Sequence, residues 1–259
     1  MIRVGIVGMG VIGTHIARAI EQGIPGVALA GVSVRTPGRA RGYPAYPLHD
    51  LLQRSDLVVE AATQAALREF GPAVLQAGKH LMVLSVGGLV GVLDEWTRLA
   101  EKHGCRILVP SGAIAGLDGV KGAREGAITA VTMETRKPPR GLAGAPYIAE
   151  QRIDLEAITE ETLIFEGPAN EAVKAFPANV NVVAALSLAG IGPEKTRFKL
   201  FAVPGQQRNQ HRITVEGEFG RLRIEVENIP SENPRTGKLS YLSAIAMLRE
   251  LGSAVQVGN

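Results

Sequence analysis

Apolar residues follow two different rhythms along the chain. As far as Leu117, short and nearly continuous apolar runs alternate with helical stretches. Ile2–Val7, Val27–Val34, Asp56–Ala62, His80–Ser85 and Cys105–Pro110 read as strands, and Thr14–Gln22, Leu48–Arg54, Ala65–Ala77 and Asp94–His103 as helices. Gly23 and Gly78 stand where two of these helices should stop. Strands that are apolar on both faces and separated by helices imply a parallel sheet covered on both sides. Beyond Leu117 the rhythm changes. Ile128–Arg136 alternates like a half-buried strand, with Ile, Ala, Thr, Glu and Arg on one parity and Thr, Val, Met and Thr on the other. Leu163–Phe165, Thr196–Val203, His211–Glu216 and Gly220–Val226 read as further strands, interrupted by a helix over Asn179–Leu188. A last helix spans Leu239–Leu251, and the irregular segment Lys137–Pro146 reads as a mobile flap.

Between the first strand and the first helix lies Gly8-x-Gly10-x-x-Gly13. Glycines at this spacing permit a tight turn, a close backbone approach to a pyrophosphate, and packing of helix on sheet. A pyrophosphate is then met by the unpaired N–H groups of the helix start. The motif also fits a glycine-rich turn in a non-binding domain; its position directly after a strand and before a helix favours dinucleotide binding. Gly8, Gly10, Val11, Ile12 and Gly13 are therefore candidate cofactor contacts, with Ala61, Ala62, Ser85 and Gly87 beyond the ends of two later strands. The second strand runs into Ser33, Arg35 and Thr36 with no carboxylate for ribose hydroxyls. Arg35, unless simply solvated, offers forked donors to a 2′-phosphate, so acceptance of NADP alongside NAD is expected. The predicted fold class is α/β. An N-terminal Rossmann dinucleotide-binding domain (1–117) precedes an α+β domain with a mostly antiparallel or mixed sheet (118–238). The final segment (239–259) is expected to pack back on the first domain.

Composition narrows the function classes. The chain has 259 residues, 28 basic against 25 acidic, and aromatics make up 4%. A near-balanced charge without aromatic interleaving argues against nucleic-acid binding. The short basic clusters Arg35/Arg39/Arg41 and Arg136/Lys137/Arg140 suit small anionic ligands. No apolar run approaches about eighteen residues, so no membrane span is expected. Without a signal-peptide pattern, and with Cys105 as the single cysteine and hence no internal disulfide, a cytoplasmic protein is expected. No spacing of His, Asp, Glu and Cys suggests a zinc site.

Of the five histidines, four lie in predicted helices or at element ends, whereas His211 lies between a loop and a strand in Arg208-Asn-Gln-His211. Histidine can exchange a proton near neutral pH, as amine or hydroxyl oxidation requires, although a satisfied buried histidine would also fit.

The chain as a whole resembles the L-aspartate dehydrogenase family. Besides the glycine loop, four blocks carry the resemblance: Pro110–Asp118, Phe176–Gly190, Arg208–His211 and Asn233–Thr236. It implies NAD- or NADP-dependent oxidation of L-aspartate at its amino carbon to iminoaspartate, which hydrolyses to oxaloacetate and ammonia or feeds quinolinate synthesis for NAD production. It further implies that His211 is catalytic, with Asn209 beside it, and that Ala113 and Asn181 contact the cofactor. The substrate class is a dicarboxylic amino acid. Lys137, Lys199 and the Asn233–Thr236 loop are candidate donors to its carboxylates, each also explicable as solvated surface. Gly237 departs from the family's tendency toward Ser, either loosening a turn or widening an anion pocket. A homo-oligomer is expected, a dimer by default. Two rival readings are a related reductase acting on another dicarboxylic amino acid, hydroxy acid or cyclic imine, and a non-catalytic dinucleotide sensor.

Overall fold

The computed structural model describes residues 1–229, 231 and 237–258. The chain forms two compact units, Met1–Pro110 with Tyr241–Val257 and Ser111–Ser240 with Gly258.

In the first unit β1 (Ile2–Val7), α1 (Val11–Glu21), β2 (Val27–Ser33), α2 (Leu48–Arg54), β3 (Leu57–Glu60), α3 (Gln64–Gln76), β4 (His80–Val83), α4 (Leu93–Lys102) and β5 (Ile107–Leu108) alternate along the chain. All pairings are parallel, in the order β2-β1-β3-β4-β5. Leu57, Val58 and Val59 of β3 are buried on both faces, which is why this strand reads as a continuous apolar run. In α1 the buried residues Gly13, Ile16, Ala17 and Ile20 recur at helical spacing and face the sheet. Burying a side chain the size of Ile16 or Leu57 contributes about 1.5–3 kcal/mol. From β1 the chain pairs β2 on one side and β3 on the other, so the strand order switches there. In open α/β sheets the crevice beyond the carboxyl ends of strands at such a switch is where ligands bind.

The second unit contains α5 (Leu117–Arg124), β6 (Ile128–Lys137), α6 (Pro146–Glu150), β7 (Thr162–Pro168), α7 (Ala169–Ala175), α8 (Asn181–Ala189), β8 (Arg197–Ala202), β9 (Asn209–Gly217) and β10 (Gly220–Asn228). Its sheet has the order β10-β9-β6-β8-β7. It is mixed and mostly antiparallel: β6 runs parallel to β8, and the other neighbours pair antiparallel. One parity of β6 is buried, Val131, Met133, Thr135 and Lys137, as are His211, Ile213 and Val215 on β9 and Phe198, Leu200 and Ala202 on β8. Phe165 and Phe176 meet edge-on at 5.7 Å, and Tyr147 and Phe198 extend the cluster. The opposite face carries ion pairs such as Arg136–Glu134, Arg136–Glu161 and Arg212–Glu225.

Three helices, α5, α6 and α7, are absent from the sequence-based expectation. Position 117, expected to close the first domain, is the first residue of α5 within the second unit. The segment expected to be a mobile flap is tethered instead: Pro139–Leu142 forms a 3-10 turn, and Leu142 and Ala145 are buried. From Tyr241 onward α9 (Leu239–Leu251) belongs to the first unit. There Ala244 and Leu248 join the core of Val4, Ile6 and Ile16, and Tyr241 stacks on His15 at 4.0 Å.

Candidate active site

The candidate residues fall into two clusters, one in each unit. In the first, Gly8 has φ +96°, and a Cβ there would stand 2.5 Å from the Ala61 carbonyl oxygen. A Cβ on Gly13 would collide with the Gly8 carbonyl oxygen. The protein's own packing thus demands both outer glycines. Gly10 is different, because a Cβ there would meet nothing within 4 Å and its φ of −72° suits any residue. It is also the N-cap of α1, with no side-chain cap and no acidic residue in the first turn. Open space above the uncapped positive end of an eleven-residue helix fits a pyrophosphate, whose approach a side chain at Gly10 would obstruct.

The crevice edges are held by Glu60, a residue the sequence reading passed over. This carboxylate at the end of β3 is fully buried. Oε1 accepts from the Ala62 N–H at 2.7 Å and the Ser85 hydroxyl at 2.9 Å, and Oε2 from the Ser85 N–H at 2.7 Å and the Leu84 N–H at 3.1 Å. Burial raises the Glu60 carboxyl above its ordinary value, and its hydrogen bonds offset only part of that rise. All three backbone partners are donors, and they match an ionised carboxylate. Glu60 therefore fixes the turn after β3, carrying Ala61 and Ala62, relative to the turn after β4, carrying Ser85 and Gly87. Arg35 lies exposed two residues beyond β2, and no carboxylate stands at the end of that strand.

His211 anchors the second cluster. It sits on β9 opposite Thr135 of β6, and its Nδ1 shares a hydrogen bond with Thr135 Oγ1 at 3.0 Å. The residue is 3% exposed, and burial followed by the charge of Lys137 holds its pKa down at about 3. The ring is neutral at pH 7. Its Nε2 has no protein partner among the described residues, yet no buried side-chain nitrogen there lacks one. Nε2 is therefore the part of the ring that solvent, or a ligand, can reach. Lys137, two residues beyond Thr135 on the same face, donates to Asn179 Oδ1 at 3.0 Å. Burial holds its ammonium down at about 8.

Ala113 and Asn181, expected at the cofactor, both lie in the second unit. The Ala113 carbonyl accepts from Asn228 Nδ2 at 2.7 Å, and Asn181 opens α8. Lys199 faces outward toward Glu166 at 3.4 Å, unlike the inward Lys137. Gly237 packs against Asn228: a Cβ there would come within 2.8 Å of the Asn228 Cβ, so glycine answers a close approach. The Asn233–Thr236 candidates lie outside the described residues.

A parallel sheet with a glycine-rich βα turn at its switch point makes the first unit a dinucleotide-binding domain in class. Residues 8–110 match the family model described as homoserine dehydrogenase, NAD binding domain, and residues 118–251 match that described as aspartate dehydrogenase, C-terminal. The chain is 48% identical to L-aspartate dehydrogenase of Methanosarcina barkeri over the whole of both chains. It is 44% identical to L-aspartate dehydrogenase 3 of Bordetella bronchiseptica over 98% of this chain and 97% of that one. The crystal structure of aspartate dehydrogenase from Thermotoga maritima superposes with a TM-score of 0.81 at 26% identity, covering both chains completely. The chain belongs to the aspartate dehydrogenase family.

Proposed function

We propose that the chain catalyses the NAD(P)-dependent oxidative deamination of L-aspartate to iminoaspartate, which is hydrolysed to oxaloacetate and ammonia, and the reverse reaction. The observation that carries this reading is the second cluster: a neutral, buried histidine with one accessible ring nitrogen, beside a buried cation. A nicotinamide dinucleotide, when bound, would supply the hydride acceptor. Gly8, Gly10, Val11, Ile12 and Gly13 hold the dinucleotide pyrophosphate, and the turns at Ala61–Ala62 and Ser85–Gly87, set by Glu60, line its path. Arg35 receives a 2′-phosphate, so both NAD and NADP serve. By the family resemblance, Ala113 and Asn181 also contact the cofactor.

His211 takes a proton from the substrate ammonium through Nε2. The freed nitrogen lone pair forms the C=N bond as the α-hydrogen leaves with its electron pair. Thr135 keeps the ring oriented while this happens. Once that proton has passed to solvent, the neutral Nε2 takes a proton from the water that adds to the iminium carbon and returns it to the departing amine.

The enzyme works in our reading as a cytoplasmic homodimer, which light scattering and cell fractionation test. No helix among the described residues is long and apolar enough to cross a membrane. The functional test is a rate panel with purified protein: L-aspartate, L-glutamate and L-homoserine with NAD and NADP, and oxaloacetate with and without ammonia against NADH and NADPH. Aspartate oxidation and ammonia-dependent oxaloacetate reduction are expected. Turnover of another substrate with none on aspartate would replace this reading with that of a related reductase.

A further inference from the structure

We propose that Lys137 binds a carboxylate of the dicarboxylic substrate, in an anion pocket completed by Asn179 and the N-terminus of α8. The proposal rests on the functional reading above and names the group that recognises the substrate.

Lys137 ends β6 on the face that also carries Val131, Met133 and Thr135. Its side chain is 4% exposed, and its one described hydrogen bond goes to the neutral Asn179. Among the described residues no carboxylate lies within ion-pair reach of it. A buried ammonium without a countercharge is costly, and removing such charges commonly leaves a protein as stable or more so. The cost is not for want of acidic groups on this sheet. Its neighbour Arg136, on the outward face, has both Glu134 and Glu161, and Arg212, Lys199 and Arg221 are paired on the same side. The sheet thus pairs most of its outward cations and leaves the inward one unmatched.

The surroundings of Lys137 add to its attraction for an anion. Asn179 precedes α8 by two residues, so its side chain brings the ammonium toward the start of that helix. Val180, the N-cap, supplies no side-chain acceptor, and the first turn has no acidic residue. Lys137 also lies near enough to His211 for its charge to depress that ring's basicity. A substrate carboxylate seated on Lys137 offsets this charge. Binding the correct substrate thereby makes Nε2 of His211 a better proton acceptor, which links recognition to acid–base chemistry.

The test uses the full-length protein, the variant Lys137→Met, and the near-isosteric Asn179→Asp, which places a carboxylate beside Nζ. Thermal unfolding is followed while succinate is titrated, with acetate as the monocarboxylate control, with and without NAD. KM and kcat for aspartate and the Kd for NADH are measured alongside. Both variants should unfold at a higher temperature than wild type without ligand. Succinate should raise the midpoint of wild type alone. In Lys137→Met, KM for aspartate should rise about 10- to 100-fold, the scale of a lost charged hydrogen bond, with Kd for NADH unchanged. A succinate shift that survives in Lys137→Met, or no shift in wild type, overturns the proposal, as does a less stable Lys137→Met. Aspartate turnover with an unaltered KM in Lys137→Met would defeat this inference alone. A Lys137-dependent succinate shift without aspartate turnover would defeat only the functional reading and move the pocket to another dicarboxylate.

Discussion

Replacing Glu60 by Gln tests whether this carboxylate holds the cofactor crevice together. The native group receives three backbone N–H groups and one hydroxyl at 2.7–3.1 Å. A Gln in the same place can direct its carbonyl oxygen at the Leu84 and Ser85 N–H groups. Its NH2 then faces the Ser85 hydroxyl, which can rotate to accept, and the Ala62 N–H, which cannot. One backbone donor is left unsatisfied, and the remaining contacts change from charged to neutral acceptors. An unsatisfied buried donor costs about 1–3 kcal/mol, and the loss of charge assistance adds to it, giving a total of about 2–4 kcal/mol. Because the orphaned donor belongs to Ala62 in the crevice, part of this cost should surface as weaker cofactor binding. Urea unfolding supplies the stability change, and quenching or transfer fluorescence of bound NADH supplies Kd. The variant should unfold at lower urea and bind NADH less tightly, with kcat at saturating cofactor less affected than Kd. Wild-type stability together with wild-type Kd would refute the role assigned to Glu60.

Other outcomes follow from the same geometry. His211→Ala should leave NADH binding intact and cut kcat by about 10²–10⁴, the range for a positioned general acid–base; turnover near wild type would remove His211 from the mechanism. Arg35→Ala should raise KM for NADP much more than for NAD, and an equal rise for both would dismiss phosphate recognition. Gly237→Ser should destabilise the protein by about 1–3 kcal/mol by crowding Asn228, and an unchanged urea midpoint would show that the backbone accommodates it without strain. His211 and Lys137 both have folded pKa values below their ordinary ones, about 3 against 6.5 and about 8 against 10.5. In each window the unfolded chain binds the extra proton, so stability should climb with pH by up to about 1.4 kcal/mol per unit, and fall as pH drops through it. His211→Gln should flatten the acid window and Lys137→Met the alkaline one in pH-dependent urea titrations; unaltered profiles would contradict the burial assigned to these groups.

Elements with a strong period were legible from sequence. The strand Ile2–Val7 and the helices Leu48–Arg54 and Leu239–Leu251 have the bounds that their apolar spacing suggests. The helix α5 was not, because Gly119 and Gly122 within Leu117–Arg124 weaken its helical signal. The helix α6 is five residues long, too short to show a period, and α7 has Val173 as its one large apolar side chain. The site divides in the same way. Gly8, Gly10 and Gly13 are read from one local motif, since strand, turn and helix start lie within a few residues. The group at His211 depends on contacts that sequence spacing hides: Thr135 is 76 residues from His211, and Lys137 is 42 from Asn179. Lys137 itself carries a surface residue's identity in an alternating strand, and only the sheet register shows that it points inward. Glu60 closes an apolar strand, where a carboxylate reads as its solvated end, and its partner Ser85 lies 25 residues on.

The most direct measurement of the central claim follows the hydrogen on the substrate α-carbon. L-aspartate deuterated at that carbon is incubated with the protein and NAD, and the reduced cofactor and the products are examined by mass spectrometry. Deuterium in the reduced nicotinamide, with oxaloacetate and ammonia formed in equal amounts, is the predicted result. Deuterium released to water, or an unreduced cofactor in the presence of intact and cofactor-binding protein, would contradict it.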